Sequence, residues 1–125
     1  MLSINGSVKI FIATDPIDCR KSHDALAALA EHVLRENPLS GNLFLFINKR
    51  ADRIKMLYWD GDGYALWYKR IEAGRVKLPK PPENATRMEV PAVDLAMILS
   101  GIDLTGVRRL KRFQIPEKML ENSRK

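Results

Sequence analysis

The sequence predicts a single α+β domain: a mainly antiparallel sheet of four to six strands, a helix packed on its apolar face and a second, C-terminal helix. Three observations predict it. Residues 43–72, LFLFINKRADRIKMLYWDGDGYALWYKRIE, alternate short aromatic and branched runs with tight polar connections. Apolar residues recur at helical spacing in two other stretches. The length, 125 residues, suits one modest core.

Taken in order, residues 8–13, VKIFIA, read as a first strand between Gly6 and Asp15-Pro16. A polar connection, TDPIDCRKS, follows, in which either Asp18 or Ser22 could cap the next helix. In that helix Leu26, Leu29, Ala30, Val33 and Leu34 form the apolar stripe, and Asn37-Pro38 ends it. The central sheet comes next. Leu43 opens a first apolar strand, and Lys49-Arg50-Ala51-Asp52-Arg53 breaks it. Asp60-Gly61-Asp62-Gly63 between two apolar runs is a strong hairpin signal, because glycine supplies the positive φ of the turn. A turn centred on Gly61-Asp62 sets Trp59 opposite Tyr64, Leu57 opposite Leu66, Lys55 opposite Tyr68 and Arg53 opposite Arg70. These side chains share one side, which grades from aromatic to cationic. Ile54, Met56, Tyr58, Ala65, Trp67 and Ile71 then face the core on the other. Residues 76–78 read as a short edge strand, the run PKPPEN as extended chain and residues 87–90 as a brief strand. Pro91 suits the start of the second helix, Leu95, Ile98 and Leu99 its stripe, and Gly101 its stop. The domain is expected to span residues 1–104, with 105–125 a basic, flexible tail.

The net charge is +6, and its distribution says more than its size. Residues 49–80 and residues 105–125 each carry +5, and the remainder carries −4. Two basic blocks on a mildly acidic body suit a polyanion partner, although solubility alone also accounts for charge of this size. One cysteine, Cys19, excludes an internal disulfide and fits a reducing cytoplasm. The N-terminus lacks the features of a signal peptide, and no stretch is long enough to span a bilayer.

Sites of chemistry are sparse. Asp15, Asp18 and Asp24, and Asp52, Asp60 and Asp62, are the carboxylates a metal-dependent nuclease would need, but turns and caps explain aspartates equally. His23 and His32 lie nine apart, off ligand spacing. Cys19 sits beside Arg20 and Lys21 with no evident general base, so it reads as structural. No Gly-rich phosphate loop or dinucleotide fingerprint occurs. No cofactor, metal ligand set or catalytic residue is therefore expected.

The basic–aromatic stretch is the more specific signal. Cations engage phosphates, and aromatic faces stack on unpaired bases. The candidate nucleic-acid-binding residues are Arg20, Lys21, Lys49, Arg50, Arg53, Lys55, Tyr68, Lys69 and Arg70, with Arg108, Arg109, Lys111 and Arg112 as an arm. Trp67 is expected in the core.

Asp18-Cys19-Arg20-Lys21-Ser22, the helix ALAALAEHVL, Pro38-Leu39-Ser40-Gly41 and above all NKRADRIKMLYWDGDGYALWYKRIEAGR resemble one family across residues 8–104. It is the TnpB-type accessory protein encoded by the second open reading frame of the IS66 group of bacterial insertion sequences. The resemblance implies a small protein of a mobile genetic element, encoded beside a DDE-type transposase and needed for efficient DNA recombination. It brings no assigned catalytic residue. The implied partners are DNA, in particular the element ends, and the transposase and other proteins of the element. The implied setting is the bacterial cytoplasm, at the nucleoid, with no membrane. Exposed sheet edges leave a homodimer open. Two alternatives are a module that recruits transposase without touching DNA, and a metal-dependent nuclease acting through Asp18 or Asp52.

Overall fold

A computed structural model describes residues 7–101. Arg108, Arg109, Lys111 and Arg112, and the whole of the expected tail, lie outside the described residues. The elements are β1 (Ile10–Ala13), α1 (His23–His32), β2 (Leu43–Ile47), β3 (Arg53–Trp59), β4 (Tyr64–Arg70), β5 (Arg87–Val90) and α2 (Ala92–Leu99). They form one α+β domain around a five-stranded sheet of order β4-β3-β2-β1-β5. β1 and β2 run parallel, joined by a crossover through α1; every other neighbouring pair is antiparallel.

The hairpin has the expected register. Trp59 pairs with Tyr64, Leu57 with Leu66, Lys55 with Tyr68 and Arg53 with Arg70. The Asp60 N–H donates to the Gly63 carbonyl at 2.8 Å, and Gly61 takes φ +78°, a conformation open to glycine without strain. Trp59 and Tyr64 meet edge to face with centroids 5.1 Å apart.

Helices cover both faces, so the sheet carries two cores. On one side Leu95 and Ile98 of α2 pack on Ile10, Ile12, Leu43, Leu45, Ile54 and Met56. This is the apolar hairpin face read from the sequence. On the other side Leu26, Ala27, Ala30 and Leu34 of the α1 region pack on Phe11, Phe44, Phe46 and Leu57. The helix thus lies on the face expected to stand open and cationic. The reason is in β2: all five of its residues are buried, and Phe44 and Phe46 need cover on the Leu57 side. A continuous apolar strand is what burial on both faces requires.

Five local expectations are corrected. Residues 76–78 form no strand; the Val76 N–H bonds to the Ala51 carbonyl (2.7 Å), and Val76 and Leu78 pack against the core. α1 stops at His32, short of Asn37-Pro38, because Arg35 turns left-handed at φ 58° and the Glu36 N–H bonds back to the Ala30 carbonyl. Val33, placed on the stripe by spacing, is therefore exposed. Ser22 holds the N-cap position, but its hydroxyl meets His23 Nδ1 and neither it nor Asp18 caps the helix. Trp67 is 36% exposed, since it sits on the edge strand with α2 over Ile54 and Met56 further in. No described helix is long and apolar enough to cross a membrane.

Candidate nucleic-acid interface

Topology gathers the basic residues. The carboxyl ends of β1, β2 and β4 and the amino ends of β3 and β5 share one end of the sheet. That end receives Lys49 and Arg50 from the β2–β3 loop, Arg53 from the start of β3, and Lys69 and Arg70 from the close of β4. Arg20 and Lys21 join from the β1–α1 connection, which is tied to β2 by a bridge between Ile17 and Asn48. Arg75 and Lys77 follow β4 and are held to the β2–β3 loop through Ile71 N–H to Asp52 (2.7 Å) and Val76 N–H to Ala51. The opposite end carries the hairpin turn with Asp60 and Asp62. The sheet is thus polarised along its strands.

Asn48 builds the loop that presents Lys49 and Arg50. Its Oδ1 accepts from the backbone N–H groups of Asp52 and Arg53, both at 3.0 Å, and its Nδ2 donates to Asp52 Oδ1 at 2.7 Å. Ala51 sits left-handed at φ 56° to close the turn. The side-chain bond from Asn48 holds the Asp52 carboxyl below its usual pKa, with nearby Arg53 and Arg50 adding to the effect. A cavity of about 300 Å³ opens between this loop and the β1–α1 connection, lined by Asp18, Cys19, Lys49, Arg50, Asp52 and Arg53 among others.

The candidate cations differ in what they are free to do. Lys49 and Arg50 are exposed, and their side chains make no ion pair or hydrogen bond among the described residues. The same holds for Lys21 and Arg75. Arg20 is bidentate on Asp18, with the closest approach at 2.7 Å. That bond, with the Arg20 N–H, drives the Asp18 carboxyl well below the usual carboxylate range. Arg70 Nε donates to Glu72 at 2.8 Å in an exposed pair. Exposed pairs of this kind are weak and readily exchanged.

Three of the expected phosphate-binding residues make side-chain hydrogen bonds within the fold. Lys55 is 7% exposed; its Nζ donates to the Lys21 carbonyl at 2.6 Å and lies 5.1 Å from the centroid of the Tyr68 ring. It pins the lead-in of α1 to the sheet. Arg53 Nη1 donates to Cys19 Sγ at 2.9 Å, while its Nε is buried without a partner among the described residues. The bond to Cys19 and the neighbouring Tyr68 raise its pKa above the ordinary arginine value, so it stays charged. Lys69 points to the opposite face, where Nζ donates to the Leu99 carbonyl (2.9 Å) at the end of α2. The outward row of Arg53, Lys55, Tyr68 and Arg70 is therefore not one open surface. Tyr68 remains 49% exposed.

Sequence reasoning omitted Arg75 and Lys77, which line a second cavity of about 400 Å³ with Lys69 and Arg70. Their place in the basic block 49–80 was the available signal. The carboxylates offer little to a metal: Asp18 is engaged by Arg20 and Asp52 by Asn48. Among the described residues no group of three or more His, Cys, Asp or Glu side chains is placed to hold an ion.

Comparison with known proteins shows the family. The profile of IS66 Orf2-like proteins matches residues 8–109. An uncharacterized protein of Sinorhizobium fredii, y4jC, is 33% identical over 109 residues, covering 87% of this chain and 92% of its own. A second from the same organism, y4hO, is 36% identical over 103 residues, covering 82% and 88%. No solved structure matches. The chain belongs to the IS66 Orf2-like family, the accessory proteins of IS66-type insertion sequences.

Proposed function

We propose that this chain is a non-catalytic accessory protein of DNA transposition that grips the phosphodiester backbone with the basic end of its sheet. The carrying observation is the pair Lys49 and Arg50, exposed, without an ion pair among the described residues, and held on a loop stapled by Asn48 beside an open cavity. Lys21, Arg75 and, by exchange of its exposed partner, Arg70 extend the same end. Arg108, Arg109, Lys111 and Arg112 continue the positive charge in sequence beyond Gly101, which itself lines the second cavity at this end. DNA at the element ends, together with the transposase bound there, is the partner that this chemistry and the family suit.

Affinity rests on phosphates, so it is weakly selective for sequence. The open face of α1 carries Asp24 and Glu31, whose charge opposes phosphate, and α2 exposes Ala92, Val93 and Ala96, which offer no side-chain hydrogen bond to a base edge. The test is a low-salt anisotropy titration on element-end and random duplexes. Lys49→Ala/Arg50→Ala is expected to weaken binding to both alike. Undiminished binding by the double variant overturns the assignment. So does a complex with transposase that forms while DNA binding is absent, which favours a recruiting module.

A further inference from the structure

β4 is one edge of the sheet, and among the described residues it pairs with β3 alone. Its free side follows from the ladder. Asp60 N–H bonds Gly63 and Ile71 N–H bonds Asp52. Bonded and non-bonded pairs alternate in an antiparallel ladder, so Ala65, Trp67 and Lys69 turn their backbone groups to β3. Tyr64, Leu66, Tyr68 and Arg70 turn theirs outward. The strand is seven residues long, contains no proline, and exposes Trp67 on one face and Tyr68 on the other. Proteins ordinarily blunt such an edge. The other edge is blunted: β5 has four residues and runs into Pro91.

We propose that the β4 edge pairs antiparallel with the β4 edge of a second copy of this chain, joining two five-stranded sheets into one. Charge selects that partner and that direction. The strand leaves an acidic turn, Asp60 and Asp62, and ends in Lys69 and Arg70. Antiparallel self-pairing sets each acidic turn beside the basic end of the other copy, whereas parallel pairing stacks like on like. With Leu66 on the two-fold axis, the outward groups of both strands are in phase. Tyr64 then faces Tyr68 of the second copy, and Asp62 faces Arg70 of the second copy. Among the described residues Arg70 is held in the single chain only by the exposed Glu72 pair. An isologous interface of this kind closes at two copies. Resting on the proposed function, it also carries the two basic ends to opposite ends of one rigid sheet, as bridging two DNA segments requires.

The test is sedimentation velocity of the full chain without nucleic acid over a concentration series. The mass is expected to rise from 14.2 kDa to about twice that. Asp62→Lys and Arg70→Asp are each expected to weaken self-association at least tenfold, since each opposes like charges at both ends. An equimolar mixture of the two variants is expected to restore a dimer, because the mixed pair opposes unlike charges at both ends; restoration also shows that both variants fold. A monomer at every concentration, self-association indifferent to both substitutions, or a mixture that fails to recover overturns the proposal. DNA binding is scored separately by Lys49→Ala/Arg50→Ala, so a monomer that binds DNA removes the interface and leaves the proposed function standing.

Discussion

Lys55 brings an ammonium group into a site 7% exposed, with a backbone carbonyl and a tyrosine ring as partners. A buried charge needs such partners, because transfer from water is costly without them. Removing it by Lys55→Ala eliminates a charge-assisted bond and the packing of the stem, and should cost about 1–3 kcal/mol in urea unfolding. The same variant should leave the salt dependence of DNA binding unchanged, since this cation is already engaged inside the fold. The sequence sets Lys49 in a loop and Lys55 on the hairpin strand, but it does not tell that Lys55 is buried. Alternation placed it correctly on the Arg53 side of the hairpin. What alternation could not supply was the β1–α1 connection folding over that side, which joins residues 34 apart in the chain.

At the scale of elements, the β2–β3 loop depends on one side chain. Asn48 satisfies two backbone donors and the Asp52 carboxylate. Asn48→Ala leaves those groups unmatched and is expected to destabilise by about 2 kcal/mol, while weakening DNA binding through disorder of Lys49 and Arg50. The loop and the β1–α1 connection together set a pH response. Asp18 and Asp52 are both depressed in the folded state, so the unfolded chain takes up protons first as pH falls. Their contribution is complete above the unfolded carboxylate pKa of about 4 and is lost progressively as pH falls from there towards the depressed folded values. The urea midpoint should fall between pH 5 and pH 3, and less steeply in Asp18→Asn/Asp52→Asn. The hairpin was legible because each local signal agreed with the next: Asp-Gly, alternation and paired aromatics. The helix end at His32 was not legible, because Arg35 in a left-handed conformation carries no sequence signature.

The whole molecule is a sheet clasped between two helices, and β2 is where both cores meet. Phe44 is fully buried and stacks on Phe11 with centroids 5.9 Å apart. Phe44→Ala should cost about 3–5 kcal/mol, enough to remove much of a small domain's stability, as thermal or urea unfolding would report. The run LFLFI announces burial on both sides, and that signal was available in the sequence. Placing the first helix on the apolar hairpin face missed it. The polar arrangement of charge is likewise a product of strand order. Residues separated by loops and an α-crossover reach one end because β1 and β2 run parallel, which no local pattern specifies.

Under the proposed function, exposed cations at that end, and not the hairpin face, meet DNA phosphates. Log–log plots of affinity against salt measure this most directly, for the wild type, Lys49→Ala/Arg50→Ala and Lys55→Ala. The slope should shrink by about 0.9 for each phosphate that is no longer neutralised, so by about 1.8 in the double variant and not at all in Lys55→Ala. An unchanged slope in the double variant, or a reduced one in a folded Lys55→Ala, would contradict it.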